Sequence, residues 1–179
     1  MNKINWLLLI LMFSPLVSAL PEDWQQQLEI ESDTAELDRK SGIVVYRGNV
    51  QLQQGTLSIK ADSILLMFNG DTLEQVVAEG NPAQYSQQVV ADKPATEAQA
   101  KRIEYLAAKR ELRFRGSAQL QQENNEFSGE LIRYDVVSET VYASGTDTGS
   151  RNTSDEKQRI KVIIKPNRTQ TDEAQDTQG

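Results

Sequence analysis

From Leu28 to Ser144 apolar and polar positions alternate with a period of two, and helical spacing is scarce. Val44-x-Tyr46 runs into Val50-x-Leu52 and Leu57-x-Ile59, and Ile103-x-Tyr105, Leu112-x-Phe114 and Ala118-x-Leu120 keep the same rule. Strict alternation is the mark of strands with one dry face and one wet face. Gly42, Gly48, Gly55, Gly70, Gly80, Gly116, Gly129 and Gly145 punctuate the runs, as short strands joined by turns require. One segment argues otherwise: Ala95–Arg110 is rich in Ala, Glu, Gln, Lys and Arg, all good helix formers.

An internal repeat overrides that propensity. A shift of 68 positions lays Tyr46-Arg-Gly-Asn-Val-Gln-Leu-Gln-Gln54 over Phe114-Arg-Gly-Ser-Ala-Gln-Leu-Gln-Gln122. Without a gap the same shift sets Leu37 on Tyr105, Ile59 on Phe127, Ile64 on Ile132 and Leu66 on Tyr134. The helix-like segment is therefore the copy of one that alternates. A finer unit, apolar-x-apolar-x-Gly, ends at Gly48, Gly80, Gly116 and Gly145. Each is preceded by a pair of small or polar residues, at Ser32-Asp33, Ala61-Asp62, Ala100-Lys101 and Gly129-Glu130. Four similar units, each too small to fold alone, predict neighbours stacked along one axis. With strands of about five residues the count is roughly 14–16. The fold class expected is all-β, a twisted or V-shaped stack whose dry faces close on each other.

The inward sets mix large with small, Tyr46 with Ala61, Tyr105 with Ala78 and Phe114 with Gly129, so the interior is expected to be incompletely filled. An apolar trough open along its length would hold alkyl chains, each methylene withdrawn from water contributing about 0.8 kcal/mol.

Composition narrows the chemistry. The chain has 179 residues with no histidine and no cysteine. That excludes a Ser-His-Asp or Cys-His nucleophile, an imidazole base, disulfides and a zinc site of the usual ligands. Catalytic residues, metal and cofactor are all expected to be absent. A net charge of −7 argues against a nucleic-acid partner. Met1–Ala19 reads as a secretory signal: Lys3, then an apolar run from Ile4 to Phe13, Pro15, and Val17-Ser18-Ala19 before the cleavage point. Residues 20–145 form the β-domain. Beyond it, 146–179 is a polar tail expected to be mobile, with a candidate last strand at 159–165.

Other motifs carry less. Ser154-x-x-Lys157 has no helix to orient it, and Asn152-x-Ser154 and Asn167-x-Thr169 are weak glycosylation patterns. Glu31/Asp33 and Glu36/Asp38 fall on wet strand faces or turns, without the clustered oxygens that calcium needs. Arg113 and Arg115 lie within a basic stripe and are candidate contacts for a phosphorylated headgroup.

Leu28-Glu-Ile-Glu-Ser-Asp33, Tyr46-Arg-Gly-Asn-Val50, Gln54-Gly-Thr-Leu-Ser-Ile-Lys-Ala-Asp62, Gly80-Asn-Pro-Ala83 and Phe114-Arg-Gly-Ser-Ala118 resemble the OstA-like family. The resemblance covers roughly Gln27–Gly145 and the short Arg159–Lys165 island. It implies a twisted β-jellyroll of consecutive antiparallel strands, in the periplasm, that binds lipopolysaccharide through lipid A acyl chains. It also implies joining, through terminal strands, to inner- and outer-membrane transport components and to like copies in head-to-tail arrays. The family's lipid-facing positions fall on Leu28, Ile30, Tyr85, Ile103 and Tyr105. Alternation extends the candidate groove to Leu37, Val44, Tyr46, Leu52, Ile59, Ile64, Leu66 and Val76, and onward to Leu112, Phe114, Leu120, Phe127, Ile132 and Tyr134. Arg47 and Arg115 depart from the family, which carries small hydroxyl residues there. With a cleavable signal and an end at Gly179, the free bridging component is the expected family role. The rival expectation is a structural β-repeat protein with a filled core and no ligand. An enzyme acting on an envelope glycan comes third.

Overall fold

The computed structural model describes residues 23–146 and 159–165. The signal segment and most of the polar tail, with Ser154, Lys157 and both glycosylation patterns, lie outside them. Ten strands form one antiparallel sheet among the described residues. Four are short: β1 (Leu28–Glu31), β2 (Thr34–Asp38), β9 (Thr140–Ser144) and β10 (Lys161–Ile164). Six are long: β3 (Ile43–Gln54), β4 (Leu57–Asn69), β5 (Thr72–Gln87), β6 (Thr96–Leu106), β7 (Glu111–Gln122) and β8 (Asn125–Asp135). Short 3₁₀ turns occupy Asp23–Gln25 and Ala107–Lys109. Connections are nearest-neighbour from β3 to β8, while β1 and β2 both pair with β3, and β9 and β10 both pair with β8.

The strand count corrects the expected 14–16. The six long strands do not end where the short units end; each runs on through a bend. Register breaks between Arg47 and Val50, Lys60 and Ser63, Glu79 and Ala83, Gln99 and Arg102, and Arg115 and Ala118. At each break residues on one strand outnumber those opposite, which is a β-bulge or its longer form and bends the strand. The breaks fall opposite one another, so they join into a crease crossing the whole sheet. Both sequence patterns lie along it in order: Ser32-Asp33 between β1 and β2, Gly48 in β3, Ala61-Asp62 in β4, and so on to Gly145 after β9.

The 68-residue repeat is equally physical. Gly48 and Asn49 have φ of 81° and 47°, and their counterparts Gly116 and Ser117 have 80° and 51°. Gly42 and Arg110 share the left-handed conformation, as do Gly55 and Glu123. The Phe68 amide donates to the Gly42 carbonyl, and 68 residues on the Val136 amide donates to the Arg110 carbonyl. Ala95–Arg110, where local propensity favours helix, contains strand β6 and one 3₁₀ turn, because alternation and cross-strand pairing outweigh a few tenths of a kcal/mol per residue.

The crease divides the sheet into two leaves. The first holds β1, β10 and the halves of β3–β8 nearest the Gly55 turn. The second holds β2, β9 and the halves nearest the Gly42 and Arg110 turns. Each leaf carries an inward row that crosses every strand. In the first leaf Ile30, Leu52, Ile59, Tyr85, Ala98, Leu120, Phe127 and Val162 are successive partners. In the second, Ala35, Tyr46, Ile64, Ala78, Ile103, Phe114, Ile132 and Ala143 are. The leaves face each other: the Tyr85 and Phe114 rings meet edge to face, with centroids 5.8 Å apart.

Candidate functional site

The space between the leaves is filled near the crease and empty near the rim. Ile64, Phe114, Leu120, Ile132 and Tyr134 are fully enclosed, and Ile103 nearly so. Farther out, a cavity of about 680 Å³ opens between the two sets of strand ends. That volume is in the range of lipid and small-molecule sites. Leu28, Leu52, Leu57, Ile59, Tyr85 and Val89 line it from the first leaf, and Leu66, Leu73, Val76, Tyr105, Leu112 and Val136 from the second. The expected lengthwise hollow is thus narrower than alternation implied: it is a trough along the rim above a packed floor.

Of the nineteen groove candidates, eight line this trough: Leu28, Leu52, Ile59, Leu66, Val76, Tyr85, Tyr105 and Leu112. The six enclosed residues form the floor. Ile30, Val44, Tyr46 and Phe127 are half-buried against it. Leu37, on β2, shares the row of Val44 and Leu66 but is 57% exposed, because β2 is an edge strand among the described residues. Leu57, Leu73, Val89 and Val136 are trough residues that the candidate set omits. They sit at strand ends beside turns, where extending the parity of Ile59 back to Leu57 would have reached the first.

A polar knot closes one rim. The Asp23 carboxylate accepts from the Thr56 amide and hydroxyl, each at 2.7 Å, and from the Gln87 side-chain amide at 2.6 Å. Gln87 in turn accepts from the Tyr85 hydroxyl at 2.7 Å. Burial, then the neighbouring Tyr134 and Asp23, raises the Tyr85 phenol well above its ordinary value, so it stays a neutral donor. Asp23→Ala strips three donors of their acceptor and is expected to lower stability by about 1–3 kcal/mol, read by urea unfolding. Asp23→Asn, which keeps an acceptor oxygen, should lose less.

Arg113 and Arg115 do not line the trough. Both lie on the outer face of the second leaf within a ladder of opposite charges. Arg113 Nε meets Glu111 at 2.5 Å and Arg115 Nε lies 3.4 Å from Glu104, while Arg102 binds both Glu104 and Glu79. Alternation had already set them outward; the new fact is that carboxylates occupy them. The acidic pairs Glu31/Asp33 and Glu36/Asp38 are all solvent-exposed, on or beside β1 and β2.

At both ends of the molecule the inward rows run out into solvent. On the first edge Leu28 is 40% exposed as well as Leu37. On the last, Ile160, Val162 and Ile164 are 47%, 43% and 74% exposed. A trough with these apolar walls can shelter alkyl chains from water.

Comparison with known proteins agrees with this geometry. The family described as LptA/(LptD N-terminal domain) LPS transport protein matches residues 29–140. The lipopolysaccharide export system protein LptH of Pseudomonas aeruginosa is 38% identical over 155 residues, covering 86% of this chain and 87% of that one. LptA of Escherichia coli, also named a lipopolysaccharide export system protein, is 33% identical over 160 residues, 86% of this chain and 85% of its own. The crystal structure of the Pseudomonas aeruginosa LptH, described as the LptA-homologous periplasmic component of the lipopolysaccharide transport device, superposes with a TM-score of 0.75. It is 36% identical and covers 82% of this chain and all of that one. The chain therefore belongs to the LptA/(LptD N-terminal domain) lipopolysaccharide-transport family.

Proposed function

We infer that this chain is a periplasmic lipopolysaccharide carrier that seats lipid A acyl chains in its trough and hands them on without a chemical step. Its family and the names of its relatives support the transport role and the compartment. The observation that carries the acyl-chain reading is the trough itself, lined by apolar side chains from both leaves. Residues 1–19 read as the export signal that would bring the chain there. A photo-crosslinking residue at Leu73 or Tyr105 should yield lipopolysaccharide adducts, and one at Arg113 should yield none. Adducts from Arg113 alone would favour the rival of a structural repeat protein with no ligand in its interior.

The unpaired edges supply the route for passing lipid onward. Counting the antiparallel steps from β1 to β10, the two edge strands of the first leaf run in opposite directions. A second copy placed head to tail therefore continues the antiparallel order, β10 of one against β1 of the next. Their charges match as well. On the outward parity β1 carries Glu29 and Glu31, while β10 and its flank carry Lys161 and Lys165. Like domains of membrane-bound transport components would dock on the same edges.

A further inference from the structure

Two charged residues line the trough, Asp23 and Arg110. Asp23 is committed: both carboxylate oxygens are held by Thr56 and Gln87 of the first leaf. Arg110 stands on the opposite leaf, at the exposed turn between β6 and β7. It has no carboxylate partner among the described residues, as is also true of Arg39, Arg133 and Arg159, but of these only Arg110 borders the trough. Tyr105 lies within range of its charge, which opposes the upward shift that burial imposes on that phenol. Arg110 is the left-handed C-cap of the 3₁₀ turn, with φ of 49°, and its counterpart one repeat earlier is Gly42, so a glycine there keeps the same backbone.

We propose that Arg110 binds the phosphate of an amphiphile whose acyl chains occupy the trough, with the Tyr105 hydroxyl as an added donor. The inference rests on the carrier reading above and names the headgroup contact within it. A guanidinium suits this role because it presents paired donors to phosphate oxygens beside an apolar surface where water competes weakly. The position also fits: a chain lying along Leu73, Val76 and Leu112 leaves its polar end at the rim, where Arg110 is.

The test measures binding of lipopolysaccharide and of the same material dephosphorylated enzymatically to the full chain. Variants are Arg110→Gly, which keeps the left-handed backbone without strain, Arg110→Lys, and Arg113→Ala/Arg115→Ala. Arg110→Gly should weaken binding of the phosphorylated form about tenfold and leave the dephosphorylated form within twofold. Arg110→Lys should recover part of the loss, and the outer-face pair should bind like the parent. Inorganic phosphate at millimolar concentration should not compete, which separates a lipid headgroup from a free-phosphate site; competition would overturn the lipid assignment. Equal loss for both forms, or none, overturns the role of Arg110 while leaving the carrier intact. A parent protein that binds neither form removes the carrier reading and this inference together.

Discussion

Phe114→Ala is expected to lower the stability of the folded chain by about 3–5 kcal/mol and its melting temperature by on the order of 10 °C or more. The ring is wholly enclosed, pairs with Ile103 and Ile132 across the second leaf, and meets Tyr85 of the first. Truncation leaves a void on the packed floor that neither leaf can collapse to fill, since the strands on both sides are tied by the ladder. For a domain whose whole stability is of order 5–15 kcal/mol, that is a large fraction. Leu73→Ala provides the contrast. Leu73 borders space that is already empty, so fewer contacts are lost and the cost should stay near 1 kcal/mol. Thermal and urea unfolding of both variants check the claim that the interior is solid at the crease and hollow at the rim. Equal costs for the two would contradict it.

The second large effect concerns assembly. Lys161→Glu with Lys165→Glu should leave the protein monomeric at concentrations where the parent associates, weakening self-association tenfold or more. Both edges of the first leaf are then acidic and repel. Glu29→Lys with Glu31→Lys should have the same outcome with the signs reversed. The informative sample is the mixture, because each variant presents the charge the other lacks and alternating assemblies should form where neither does alone. Sedimentation velocity across a salt series reads all three samples, with screening expected to weaken the parent and the mixture alike. Association of the single variants at parental strength would sink the pairing of β10 with β1.

Much of this architecture was legible in the residues because the fold repeats itself. The match of Arg47-Gly48-Asn49 to Arg115-Gly116-Ser117 marked the two equivalent bends. What periodicity could not show is whether a strand stops at a glycine or bends through it. Both leave a break in alternation, and so ten strands were read as more. Nor could it show which inward residues touch a neighbour and which face a gap. Phe114 and Leu112 obey the same parity, yet one lies on the floor and the other on the trough wall, a difference set by the distance between leaves. The basic stripe shows the same limit: alternation turns Arg113 and Arg115 away from Leu112 and Phe114, but that Arg110 borders the trough depends on where the turn between β6 and β7 falls in space.

Because β3 to β8 cross the crease without interruption, every long strand belongs to both leaves. The two walls of the trough are thus one continuous sheet folded on itself, and no separate domain or hinge loop is needed to bring them face to face.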